Sequence, residues 1–205
     1  MDRLTQIFEM QKKIGETFLP IENAAGLGLN AIAGDGPHNI DDPKFQFVVK
    51  GYAWRVVEEL AEAIDAYGTD SLHEELADML HFFVELCLLL DMAPEHLVLV
   101  HPETVSKSTL DMLDVWWMKS LDASDLRIFS ITFIQYFGMA MECLKNKPWK
   151  QTLVETNRNT LYTKMAEAGF AMVGIFTSCG MTTDDMMNGY FKKAQENVDR
   201  AERGR

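Results

Sequence analysis

Two acidic pairs constrain most strongly what this chain can fold into. In EELAEAIDAYGTDSLHEELAD, residues 58–78, Glu59 and Glu62 stand i, i+3 from one another, and so do Glu75 and Asp78. At about 100° per residue, each pair projects from one face of a helix. Between the pairs lies Gly68-Thr69-Asp70, a turn sequence, followed by Ser71-x-x-Glu74, which reads as a capping box opening a new helix. Two helices joined by so short a turn pack antiparallel. The acids are symmetric about the bend, so Glu59 is level with Asp78 and Glu62 with Glu75, roughly two helical turns from the turn. The pattern predicts four carboxylates meeting at one level of a helical hairpin.

Such a group cannot stay fully ionised in a partly buried site without a cation. Ligation by carboxylate oxygen alone suits Mg²⁺, Mn²⁺ or Ca²⁺ rather than zinc, and Mg²⁺ usually completes its shell with water and substrate phosphates. For an isolated acidic pair the competing reading is a solvated face. Here Leu60, Ala63, Ile64, Leu76, Met79 and Leu80 flank the acids and leave little polar perimeter. That favours a divalent-metal platform for a polyphosphate, with Glu59, Glu62, Glu75 and Asp78 as its ligands. A di-iron carboxylate bundle would require Glu-x-x-His from two helices. Asp78-x-x-His81 is the only acid-x-x-His that follows the hairpin pattern, and His101 and Glu103 of HPETV have the wrong spacing.

The rest of the chain is also helical in pattern, with little β-branched alternation. Helices are expected over 3–18, 45–67, 71–91, 106–121, 124–145, 155–178 and 183–202. Residues 20–45, rich in Gly, Asn, Asp and Pro, read as a long loop. No repeat or flexible linker divides the chain, so residues 1–205 read as a single all-α domain, a helical bundle. A hydrophobic fraction of 47% is enough for a real core. No apolar run reaches the ~18–20 residues of a membrane span, and the N-terminal segment is too charged for a secretory signal, which implies a cytoplasmic protein. Cys87, Cys143 and Cys179 lie far apart in apolar runs and read as reduced core thiols rather than a zinc or redox set. A formal charge of −12 repels nucleic acid and anionic membranes but not a small anion bridged by metal.

The acidic signature resembles that of the all-α nucleoside triphosphate pyrophosphatases, which include MazG-type enzymes and the dimeric dUTPases. EELADMLHFF, residues 74–83, is similar to the E-x-x-D-x-x-H-F run of dimeric dUTPases and T-even phage dCTP/dUTP pyrophosphatases. YFKKAQENVDR, residues 190–200, fits the late Tyr-x-x-Lys-x-x-x-Asn-x-x-Arg motif of that branch. Lys193, Asn197 and Arg200 fall on one helical stripe, able to offer two cations and an amide to phosphate oxygens.

The resemblance implies Mg²⁺-dependent hydrolysis of a deoxynucleoside triphosphate, dUTP first and dCTP second, to the monophosphate and pyrophosphate. It implies Glu58 or Glu59 as the residue that orients or deprotonates water, and Lys193 and Arg200 as transition-state cations. Gln11 stands where the family often has a base-contacting Gln, although Ile14 occupies the place of a following Asn. Trp54, one helical turn before the acids, and His81, i+3 from Asp78, are further candidates for substrate contact, each with a core role as its competitor. KNKPWK, residues 145–150, is a basic loop able to approach phosphate. A homodimer is expected, with Trp116-Trp117 and the run 128–141 as compatible interface. The alternatives are a MazG-like enzyme for purine nucleotides and a catalytically silent helical module that binds nucleotide.

Overall fold

The computed structural model describes residues 2–24, 38–98, 112–118 and 125–203. Most of the glycine-rich stretch, and His101 and Glu103, lie outside them. Among the described residues there are eight helices and no strand: α1 Arg3–Ala24, α2 Pro43–Asp65, α3 Leu72–Leu89, α4 Pro94–Val98, α5 Met112–Met118, α6 Leu126–Glu142, α7 Arg158–Ser178 and α8 Thr183–Glu202. No described helix is long and apolar enough to cross a membrane.

Local chemistry sets several boundaries. α2 starts two residues before the expected Phe45 because Asp42 caps it, accepting from the backbone N–H groups of Lys44 and Phe45, with Pro43 in the first turn. α1 runs to Ala24, past the expected end at Phe18, so the first part of the presumed loop is helix. The expected cap at Ser71 does not form. Ser71 has helical backbone angles and its side chain makes no cap bond; its hydroxyl lies 2.9 Å from that of Thr69 instead. A capping side chain needs an extended backbone to turn back onto the helix. Thr182 meets that condition, and with Asp185 it forms a reciprocal capping box at the start of α8. In the turn between α2 and α3, Gly68 takes φ +82°, a region that side-chain-bearing residues avoid.

α3 is the central helix. Leu76, Met79, Leu80, Phe83, Val84, Leu86 and Cys87 are all fully buried. α2 packs along one side of it, while α1 and α8 pack against each other and against α3. α6 and α7 form a second closely packed pair. Their approach depends on Gly174, where an added Cβ would stand 2.2 Å from the Phe129 ring. Trp116 is a core residue, whereas Trp149 is exposed. The three cysteines are free thiols; only Cys87 is fully in the core, and Cys143 and Cys179 are half-buried.

Candidate functional site

The α2–α3 hairpin brings Glu59, Glu62 and Glu75 together. One carboxylate oxygen from each lies within 4.8 Å of the others. Glu59 is buried and Glu75 half-buried, while Glu62 opens to solvent. Burial raises the Glu59 pKa to about 7, helped by the negative charges of Asp78, Glu62 and Glu75 and opposed by Arg55. Glu75 is pushed up as well, by burial and then by Glu62 and Asp78. Crowded, partly desolvated carboxylates hold protons when no stronger cation is present.

Asp78 is differently engaged. Its Oδ2 lies 2.7 Å from the Lys193 ammonium, which also reaches Glu74 Oε1 at 2.8 Å. Burial raises the Asp78 pKa in spite of this pairing. The Lys193 pKa rises although burial opposes it, because both carboxylates accept its protons. Glu74, mostly exposed, is held low by the same hydrogen bond. Lys193, expected to meet phosphate, is paired in this structure with Asp78 and Glu74 at the edge of the trio. Glu74 was not among the expected site residues, yet it stands i, i+4 from Asp78. That spacing is the signal that any cation facing this side of α3 meets both.

The other expected residues divide into two groups. Asn197 is half-buried and Arg200 exposed on α8, one and two turns beyond Lys193. Arg200 is close enough for its charge to lower the pKa values of Glu74 and Asp78. Trp54 is exposed on α2. Glu58 is not part of the trio and pairs with Arg55 at 2.8 Å.

Gln11 and His81 are not at the surface. Each is 5% exposed. Gln11 Nε2 donates to Glu85 at 2.9 Å, and its Oε1 accepts from the Tyr190 hydroxyl at 2.7 Å. His81 Nδ1 lies 2.9 Å from Gln11 Oε1, and its Nε2 donates to the Tyr190 carbonyl at 3.1 Å. The His81 ring stacks on Tyr190 with centroids 4.0 Å apart, and burial lowers its pKa to about 4. This network ties α1, α3 and α8 together. Gln11 and His81, both expected to contact substrate, are thus engaged in interior hydrogen bonds in this structure.

The site is an acidic cluster with a built-in lysine and an exposed arginine within electrostatic reach. Oxygen donors on opposite sides of one cation stand no further apart than about twice the ~2.1–2.5 Å metal–oxygen distance. The spacing of the glutamate trio fits that limit, and its all-oxygen character fits a hard divalent ion. A family model described as dUTPase matches residues 61–204. No curated protein and no solved structure matches the chain significantly.

Proposed function

The chain belongs to the dUTPase family, and from that membership we propose that it hydrolyses a deoxynucleoside triphosphate, dUTP foremost and dCTP second, to the monophosphate and pyrophosphate. The observation that carries the reading is the meeting of Glu59, Glu62 and Glu75 within 4.8 Å. These three, with the adjacent Asp78, would hold Mg²⁺, or Mn²⁺ in its place. A bound divalent ion supplies charge neutralisation on the phosphate chain and a more acidic water.

The chain's own groups divide the remaining work. Of the two glutamates expected to act on water, Glu59 stands in the trio that would hold the metal, whereas Glu58 is tied to Arg55. Arg200, with Asn197 on the same stripe, meets phosphate oxygens from the open side. Lys193 orients Asp78 and adds positive charge at the back of the site. Trp54 offers its exposed ring to the base. The enzyme acts as a homodimer in the cytoplasm, and the apolar outer face of α6, where Ile128, Ile131 and Ile134 are exposed, supplies the dimer contact.

The test is pyrophosphate release from dUTP, dCTP, dTTP, dATP and dGTP with Mg²⁺. Release should be fastest from dUTP, and excess chelator should abolish it. Glu62→Ala, a change at an exposed position, should lower kcat by about 10²–10⁴-fold while leaving the thermal unfolding temperature within a few degrees. A purine preference would move the assignment to the MazG-like reading. Nucleotide binding without turnover would indicate the silent module.

A further inference from the structure

Beside the connection from α6 to α7 lies a concave patch that the acidic site does not use. Phe47, Lys50 and Gly51 of α2 face Asn146, Lys147, Pro148 and Trp149 across a cavity of about 380 Å³, within the size range of small-molecule sites. Two aromatic rings stand open to it, Phe47 at 60% and Trp149 at 70% exposure. The Lys147 ammonium lies 5.7 Å from the Trp149 ring centroid. Lys50 is lowered in pKa by partial burial and then by the charges of Lys147 and Lys150, with Glu142 opposing. On a chain of net charge −12 this is a local concentration of positive charge next to exposed π-faces.

The patch is firmly built. The Asn146 backbone N–H donates to Gln46 Oε1 at 2.7 Å, and Asn146 Nδ2 donates to the carbonyls of Asp41 and Val154 at 2.9 Å each. Val154 N–H returns a bond to Asn146 Oδ1 at 2.7 Å. These bonds fix the loop to the start of α2 and leave the lysines and rings to a ligand. At Gly51 an added Cβ would meet nothing within 4 Å, so that side of the cavity is open. Gly51 lies eight residues before Glu59, about 12 Å along the helix axis.

We propose that this groove is a second nucleotide site, distinct from the acidic site, which takes a nucleoside phosphate with its base against Trp149 and Phe47 and its phosphates toward Lys50 and Lys147. Stacking on an aromatic ring tolerates any base, and lysine supplies point charges to phosphate. A long polyanion is excluded by the charge of the whole molecule; a single nucleotide sees only the local lysines. The proposal does not require that the acidic site hydrolyse anything.

The experiment is calorimetric titration of the full chain with α,β-imido-dUTP and Mg²⁺, which counts sites per chain. Two variants change only the groove: Gly51→Leu, which adds a side chain at its wall, and the double variant Lys147→Ala/Trp149→Ala. Both alter positions with room or exposure, so the fold should survive, as thermal unfolding will show. The wild type should bind two nucleotides per chain and each variant one, the affinity of the lost site falling about tenfold or more. Turnover at saturating substrate should be unchanged. Equal stoichiometry in wild type and variants overturns the proposal. So does loss of turnover in folded variants, because the groove would then belong to the catalytic substrate path. Equal affinity of the groove for α,β-imido-dUTP in wild type and Trp149→Ala would mark an anion site without a base, and would overturn the nucleotide assignment. Failure of the hydrolytic reading leaves this outcome separate, since only the groove variants remove this site.

Discussion

At the scale of single residues, Glu59 bears most of the cost of assembling the acidic face. Its pKa near 7 against an ordinary 4.5 means that, between those values, the native state holds a proton that the unfolded chain has released. Glu59 therefore favours the folded state at low pH, and this contribution is lost as pH rises through about 7. His81 acts in the opposite sense. With a native pKa near 4 against 6.5, its contribution is complete above about 6.5 and is lost as pH falls. Comparison with Glu59→Gln isolates the first effect. In chelator, wild type and variant should have similar unfolding temperatures at pH 4, below the unfolded pKa of 4.5, and the wild type should fall below the variant at pH 8. Added Mg²⁺ should reverse the order at pH 8. A difference that scanning calorimetry finds constant from pH 5 to 8 would refute the crowding account. The glutamate trio was legible from i, i+3 spacing and the symmetry of the turn. The Lys193 contact to Asp78 was not, because it joins residues 115 positions apart and no local pattern encodes it. The interior placement of Gln11 escaped for a related reason: a polar residue on an amphipathic helix reads as exposed unless its distant partners, here His81, Glu85 and Tyr190, are known.

Among the elements, the legible ones were those with strong punctuation. α8 has the expected bounds of 183–202, set by the Thr182 cap at one end. α2 was legible in place but not in its start, which Asp42 and Pro43 decide. Between α6 and α7, the sequence KNKPWK predicts only a basic loop. Its order comes from Gln46 and Asn146, two buried residues 100 positions apart: Gln46 Oε1 accepts from the Asn146 backbone N–H, and both side-chain amides donate to backbone carbonyls. Asn146→Ala removes the side-chain partner of the Val154 N–H and one partner of each of two carbonyls. The loss should cost about 2–3 kcal/mol in urea-melt stability, since unpaired buried polar groups each carry a desolvation penalty. Hydrogen exchange at Val154 should quicken in parallel; a variant as stable as the wild type would mean that the loop is held by other contacts.

Across the whole molecule, the apolar outer face of α6 is the feature that the monomer does not explain. Ile131 is 68% exposed, with Ile128 and Ile134 beside it on a helix whose opposite face packs on α7. If that face joins two copies, Ile131→Glu should convert a dimer to a monomer by light scattering without changing the helical content, because a charge desolvated at an interface is strongly penalised. A wild type that is monomeric at micromolar concentration, or a variant that stays dimeric, would count against it.

The region recognisable as dUTPase begins at residue 61, in the middle of α2. The packing has no seam there. Leu4, Ile7 and Phe8 of α1 are in the core, and Gln11 joins α3 to α8. Glu59 lies on one side of that line and Glu62 on the other. A fragment trimmed to the recognisable region would lose a wall of the interior and one member of the acidic trio together. The limit of detectable ancestry and the limit of cooperative folding are thus different places in this chain.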